Sequence, residues 1–291
     1  MKLVNEMNIA QCLAWAKQVL SEGESPSIDA KVLLCDVLKR DTTFLITYPE
    51  YQLSAEQFQR FQAMVARRVE GEPVAYIIGT QDFWTLTLKV NEHTLIPRPE
   101  TELLVETVLS LVTSHPQNEQ QHPLRILDLG TGTGAIALAL ASELPKAQVE
   151  AVDRIPEAVE LAKENASNLA ISNIKISQSD WFDNITDEPF HFIVTNPPYV
   201  EADSPWLVQG DVRFEPASAL TSGDDGLDDI RYIIEQSKGR LLLSGWLLIE
   251  HGYTQSEAIQ KLFQQAGYLN ITAVEDYSGH PRICYAQKCV A

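Results

Sequence analysis

The chain has 291 residues, of which 45% are hydrophobic and 21% charged: room for one large domain and a smaller one, with ordinary globular composition. Its 22 Lys and Arg face 40 Asp and Glu, a net charge of −18, which argues against tight nonspecific binding to a phosphate backbone, though not against a nucleic-acid substrate as such, and favours a neutral or basic partner such as a basic protein. Cys12, Cys35, Cys284 and Cys289 form no CxxC pair and have no companion His cluster, so they are expected to be reduced packing thiols rather than zinc ligands. With no signal-peptide h-region and no apolar run near ~18 residues, the chain reads as cytoplasmic.

Helical patterns fill residues 1 to about 70. Asn8 is placed to cap a helix carrying Ile9, Leu13, Ala16 and Leu20 on one face. Ser27 is the expected cap of a second, with Ile28, Leu34, Val37 and Leu38 apolar. Ser54-Ala55-Glu56-Gln57 is a capping-box pattern opening a third helix, with Phe58, Phe61 and Val65 on its apolar face and Gly71 and Pro73 stopping it. These stripes predict the self-contained core of a small helical domain. From Tyr76 to Val90 the pattern changes: Leu86, Leu88 and Val90 alternate with Thr85, Thr87 and Lys89, which predicts strands forming a hairpin.

Beyond residue 98, strand and helix patterns alternate. Strands are expected at Arg125–Leu129, Gln148–Val152, Ile174–Ser177, Phe190–Thr195, Gly245–Glu250, Ile271–Glu275 and Ile283–Gln287, and helices at 100–112, 134–144, 156–170, 228–240 and 256–266. Such alternation predicts an α/β fold: a Rossmann-like, seven-stranded, mostly parallel sheet with helices on both faces. Only residues 276–282 separate the last two strands, too few for a parallel crossover, so they should run antiparallel. Glu201–Asp229, rich in Asp, Gly and Pro, reads as a long loop on the active-site side.

Two segments carry chemistry. Asp128-Leu129-Gly130-Thr131-Gly132-Thr133-Gly134 follows a strand and opens a helix, where glycines let the backbone turn tightly against a ligand. Its G-x-G-x-G spacing departs from the dinucleotide fingerprint, and it contains no Lys or Arg. Asp128 beside the turn is expected to disfavour a phosphate and favour a cationic group. Asp153, roughly 20 residues on, ends the second strand, where an acid accepts from ribose hydroxyls or else caps the next helix. A nucleoside with an amino-acid tail and no phosphate fits both acids, and that describes S-adenosylmethionine. Asp180-Trp181 follows the third strand, where an adenine would lie; Trp181 either packs on the base or belongs to the core.

Asn196-Pro197-Pro198-Tyr199 follows the apolar run Phe190–Val194. Two consecutive prolines fix two φ angles and remove two N–H donors, while Asn196 and Pro197 are pushed toward extended conformations. A strand ending in such a corner presents a carboxamide oxygen and outward-facing carbonyls, which suits a planar –NH2 with two hydrogens to donate. Tyr199 offers a ring to cover the face of the same group.

With these residues in place the chain resembles the HemK/PrmC family, the N5-glutamine methyltransferases of peptide chain release factors. The resemblance covers nearly the whole chain: the helical N-terminal region, Gly71–Gly79, Leu95-Ile96-Pro97-Arg98-Pro99-Glu100-Thr101-Glu102, Asp128–Gly134, Asn196–Tyr199, Glu250-His251-Gly252 and Asp276–Arg282. Asn-Pro-Pro-Tyr is shared with adenine and guanine N-methyltransferases; the Pro-Arg-Pro-Glu-Thr-Glu stretch together with the helical domain is far more specific. After Asp153 the family often has a small polar residue where this chain has Arg154-Ile155-Pro156, which leaves the acid intact.

The resemblance implies S-adenosylmethionine as cofactor, S-adenosylhomocysteine as product, and class I release factors as protein partners, methylated at the glutamine of their Gly-Gly-Gln motif during the maturation of translation termination. It implies cofactor contacts at Gly130, Thr131, Gly132, Thr133, Gly134, Asp153, Trp181 and Asn196, and glutamine binding at Asn196, Pro197, Pro198 and Tyr199. Catalysis is expected from Asn196, Pro197 and Tyr199: the Asn196 oxygen and the Pro197 carbonyl each accept one amide hydrogen and Tyr199 packs on the amide. Thr101 is either part of a loop beside this site or the cap of the helix beginning near Glu102. The expected domains are a helical bundle at 1–73 for release-factor recognition, a hairpin linker at 74–96 and a methyltransferase domain at 97–291. Two other readings use the same residues. A nucleic-acid amino methyltransferase acting on adenine N6 or guanine N2 would bring a basic groove, which the charge does not supply. A noncatalytic adapter would have no use for an intact Asn196–Tyr199 corner.

Overall fold

The computed structural model describes residues 7–114 and 123–289, and these form two compact units. The smaller comprises residues up to Thr80 together with Gln209–Phe214. Its helices are α1 (Ile9–Val19), α2 (Pro26–Leu38), α3 (Thr42–Thr47), α4 (Ala55–Val69) and α5 (Val74–Ile78). Ser54 forms the capping box with Gln57 that its spacing predicts, and Asn8, the expected cap of α1, also completes a box, with Gln11. The second helix differs from expectation. It begins at Pro26, whose preset φ suits the first helical position, so Ser27 lies inside the first turn and caps nothing. Tyr76–Ile78 are helical rather than extended, ended by Gly79 at φ 79°, and the strands begin only at Thr80. Ile9, Leu33, Leu34 and Phe61 are fully buried at the centre of this unit's own core. Arg68 lies across its surface, bonded to Asp29 at 2.7 Å and to Asp211 of the 209–214 segment at 2.6 Å.

The larger unit starts at Gln81. Strands β1 (Thr80–Phe83) and β2 (Leu86–Lys89) pair as a two-stranded sheet. A 3-10 turn, Pro99–Thr101, leads into α6 (Glu102–Ser114). There follow β3 (Arg125–Leu129), α7 (Ala135–Glu143), β4 (Gln148–Asp153), α8 (Pro156–Asn168), β5 (Ile174–Gln178), β6 (Phe190–Thr195), α9 (Asp228–Arg240), β7 (Leu241–Glu250), α10 (Ser256–Gln265), β8 (Leu269–Glu275) and β9 (Pro281–Gln287). The seven-stranded sheet has the order β5-β4-β3-β6-β7-β9-β8, and β9 alone runs antiparallel to both its neighbours. The seven strands, the mixed sheet and the antiparallel final pair are those the sequence predicts.

Alternation along the strands builds a core on each face. Ile126, Phe192, Val194 and Leu248 pack with α6 and α7, whereas Leu127, Leu129, Ile193, Leu247 and Ile249 pack with α9 and α10. All of Ala135–Ala141 is buried, so α7 shows no polar face. The path leaves β3 toward β4 and β5, then returns to place β6 on the other side of β3. At that reversal the loops after neighbouring strand ends diverge, opening a crevice at the carboxyl end of the sheet.

Candidate active site

A cavity occupies that crevice, and each strand end supplies a wall. From β3 come Gly130–Thr133, from β4 Asp153–Ile155, from β5 Ser179–Trp181, and from β6 Asn196 and Pro198. His93–Leu95, Pro97, Arg98 and Thr101 close a further side. Of the residues singled out from the sequence, Gly130, Thr131, Gly132, Thr133, Asp153, Trp181, Asn196 and Pro198 thus share one space. Gly134, Pro197 and Tyr199 lie outside its lining. Gly134, at φ 86°, is a packing position: a Cβ there would meet Leu138 Cδ1 at 2.9 Å.

The glycine loop is held from beneath and from the side. Gly130 and Gly132 have φ of 70° and 55°, and a Cβ on Gly130 would stand 3.5 Å from the Trp181 ring. Asp153 accepts from Gly132 N–H and from Ile155 N–H, both at 2.9 Å, so one carboxylate ties the loop to the start of α8. Asp153 does not cap α8, whose N-cap is Ile155 with no side-chain cap bond, and a carboxylate with four lone-pair sites keeps some for the cavity. Burial raises its pKa. Asn165 of α8 adds a brace that sequence reading missed, donating to Thr133 O at 2.9 Å and exchanging bonds with the Lys89 backbone.

Asp128 departs from expectation. It is fully buried below the loop, accepts from Thr131 Oγ1 at 2.6 Å, and is absent from the cavity wall. Burial pushes its pKa up to about 7. It supports the turn and lies outside the cavity lining, whose acids are Asp153, Asp180 and Asp229.

The Asn196–Tyr199 corner is clamped by groups distant in sequence. Tyr199 and Val200 N–H both donate to Leu220 O, at 3.1 and 2.8 Å. Gln255 Nε2 donates to Tyr199 O at 2.9 Å, and Gly226 approaches so closely that a Cβ would stand 2.2 Å from that oxygen. Thr195 Oγ1 donates to Leu129 O at 2.8 Å, joining the two strand ends that carry the loop and the corner. Asn196 Nδ2 donates to the buried Thr101 Oγ1 at 3.2 Å. Thr101 therefore belongs to the site. Near the pair lies Glu250, 2% exposed at the carboxyl end of β7, its pKa pushed up to about 7 by burial. The sequence marked Glu250 by its place at a strand end and by the Glu250-His251-Gly252 segment of the family resemblance, without a role.

The cavity suits a nucleoside bearing an amino-acid tail. The two glycines remove side chains where the backbone meets the space, Asp153 supplies an acceptor, Trp181 supplies a flat apolar wall, and the loop contains no cation for a phosphate. Of the two arginines at the rim, Arg98 is engaged by Glu215 at 2.5 Å.

Residues 11–79 match the PrmC N-terminal domain family and residues 101–210 the methyltransferase small domain family. The release factor glutamine methyltransferase of Escherichia coli strain K12 is 48% identical, the match covering 92% of this chain and 96% of the relative. That of Shewanella oneidensis is 45% identical, covering 96% of each. Among solved structures, a methyltransferase from Pyrococcus furiosus aligns with a TM-score of 0.51 at 15% identity, covering 77% of this chain and 98% of that one, a likeness of fold alone.

Proposed function

This chain belongs to the release factor glutamine methyltransferase family, and on that premise we propose that it transfers a methyl group from S-adenosylmethionine to the side-chain amide nitrogen, N5, of the glutamine in the Gly-Gly-Gln motif of class I peptide chain release factors. The observation that carries this reading is the convergence of Asn196 and Pro198 with the glycine loop and Asp153 on one cavity. Gly130, Thr131, Gly132, Thr133, Asp153, Trp181 and Asn196 would hold the cofactor, with Gly134 shaping the loop. When bound, S-adenosylmethionine supplies a methyl carbon made electrophilic by its sulfonium.

An amide nitrogen is a weak nucleophile because its lone pair is shared with the carbonyl, so positioning dominates. The Asn196 oxygen and the Pro197 carbonyl each accept one amide hydrogen and turn the lone pair toward the cavity. Positive charge grows on nitrogen during transfer, so both bonds strengthen in the transition state. The surplus proton leaves to water. Tyr199, held by Leu220 and Gln255, covers the amide face. Residues 1–73 recognise the release factor, 74–96 link, and 97–291 carry the chemistry, in the cytoplasm where the partner works. No helix among the described residues is long and apolar enough to cross a membrane.

The test is a mass measurement on the Gly-Gly-Gln peptide of a release factor incubated with enzyme and S-adenosylmethionine. The peptide gains one methyl with the wild type. Asn196→Ala lowers turnover by at least ~10²–10³, the cost of losing one partner of a developing charge, while cofactor affinity stays within a modest factor. Near-normal turnover of Asn196→Ala would remove the role given to that residue.

A further inference from the structure

The Asn196–Tyr199 corner is fastened on two sides, each time by a three-residue 3-10 turn. On one side, Thr101 N–H donates to Arg98 O at 3.1 Å and closes the turn Pro99–Thr101, whose Thr101 Oγ1 accepts from Asn196 Nδ2 at 3.2 Å. On the other, Ala219 N–H donates to Pro216 O at 2.9 Å and closes the turn Ala217–Ala219, which delivers the Leu220 carbonyl to the N–H groups of Tyr199 and Val200. Short 3-10 turns have poor hydrogen-bond geometry, and the second buries none of its residues, so neither holds its anchor in place unaided. Each is preceded by a charged residue, and the two charges meet. Arg98 stands immediately before Pro99 and Glu215 immediately before Pro216, and Arg98 Nη2 donates to Glu215 Oε1 at 2.5 Å. The Glu215 side chain is 0% exposed and that of Arg98 33%. Hydrogen bonds, the ion pair and short stretches of chain thus form a closed loop, from Arg98 through Thr101, Asn196, Tyr199 and Leu220 to Glu215 and back.

We propose that Arg98 and Glu215 are positioning residues for methyl transfer: their ion pair locks the two turns together and so fixes the Asn196 carboxamide relative to the Pro197–Tyr199 backbone, the two parts that receive the substrate amide. The inference rests on the glutamine reading of the site. Burying a carboxylate against an arginine adds little stability, because desolvation offsets much of the attraction. It does fix a distance, since the pair cannot loosen without leaving a buried charge. Arg98, Thr101, Ser218 and Ala219 line the same cavity as Asn196 and Pro198, so slack between the turns reaches the reacting groups directly. Where catalysis is positioning, a displacement of about 1 Å costs roughly 10²-fold in rate.

The experiment uses the full chain and compares wild type, Arg98→Lys, Arg98→Met, Glu215→Gln and the double variant Arg98→Met/Glu215→Gln. It measures kcat on saturating release factor and calorimetric affinity for S-adenosylmethionine. Arg98→Met and Glu215→Gln should each lower kcat ~10–100-fold while S-adenosylmethionine affinity stays within ~3-fold. The double variant should be no slower than the slower single one, because the two side chains act as one link. Arg98→Lys keeps a cation for Glu215 and should be faster than Arg98→Met by ~5-fold or more. Should Arg98→Met fail to fold with the Glu215 carboxylate buried and Arg98 gone, the double variant, which carries neither charge, supplies the kcat. Wild-type kcat in Glu215→Gln or in the double variant, additive losses in the double variant, an Arg98→Lys no faster than Arg98→Met, or a fall in S-adenosylmethionine affinity as large as the fall in kcat would each overturn the proposal. Failure of the wild type to methylate the release factor would overturn the glutamine reading itself, which separates the two.

Discussion

Two buried carboxyl groups, Asp128 and Glu250, behave alike and in the opposite sense to the usual surface acid. Burial raises each folded-state pKa to about 7. Below pH ~4 folded and unfolded chains are both protonated at these positions, and neither group affects stability. As pH rises the unfolded chain ionises first, so stability falls between the unfolded value, ~4, and about 7, and the penalty persists above it. Glu250→Gln should therefore melt higher than wild type at pH 8, by ~2–4 °C for each kcal/mol relieved, and the two should converge near pH ~4 in scanning calorimetry. Gly226 is a different kind of residue-scale constraint. Its φ is +71° and a Cβ would collide with Tyr199 O at 2.2 Å. Gly226→Ala should cost ~1–3 kcal/mol in strain and displace the corner, seen as a lower urea midpoint together with at least a ~10-fold loss of kcat.

Helices with side-chain caps were legible where a local signal coincided with an apolar stripe. Asn8 and Ser54 bond within three residues of themselves, and no distant group is needed to predict them. Ser54→Ala should cost about 1 kcal/mol, read as a shift in urea unfolding, with S-adenosylmethionine affinity unchanged because the helix lies in the smaller unit. Ser27 misled because two serines flank a proline and the ring, not the hydroxyl, chose the start of α2. Val74–Ile78 misled for another reason: five apolar residues have no measurable period, and the glycine that ends them could equally close a strand. The central sheet strands, buried on both faces, were found as apolar runs, and the boundaries of all seven held within a few residues. The largest extension is β7, which begins four residues earlier than its apolar core, at Leu241, beside an irregularity in its pairing with β6.

At the scale of the molecule, the order β5-β4-β3-β6-β7-β9-β8 turns a list of strand ends into a site, because β3, β4, β5 and β6 each deliver one wall to the same crevice. The net charge of −18 belongs to this scale as well. A chain this acidic should show no saturable binding to a duplex at ~10 µM protein and physiological salt, whereas proteins that bind DNA nonspecifically do so at ~10⁻⁴–10⁻⁶ M. Fluorescence anisotropy with a labelled duplex checks this, and micromolar binding there would reopen the nucleic-acid alternative.

Reaction type, cofactor class and sheet architecture could be read from linear order, because glycine spacing, proline-braced turns and hydrophobic periods are properties of neighbouring residues. Asp128, Thr101, Gln255, Gly226 and Glu250 could not. Whether an acid faces a ligand or lies beneath a loop depends on burial, and burial is set by which strands become neighbours. Thr101 and Asn196 are far apart along the chain and meet only where the end of β6 comes against the turn before α6. The orientation of one carboxamide is thus a long-range property, and no local pattern in the sequence encodes it.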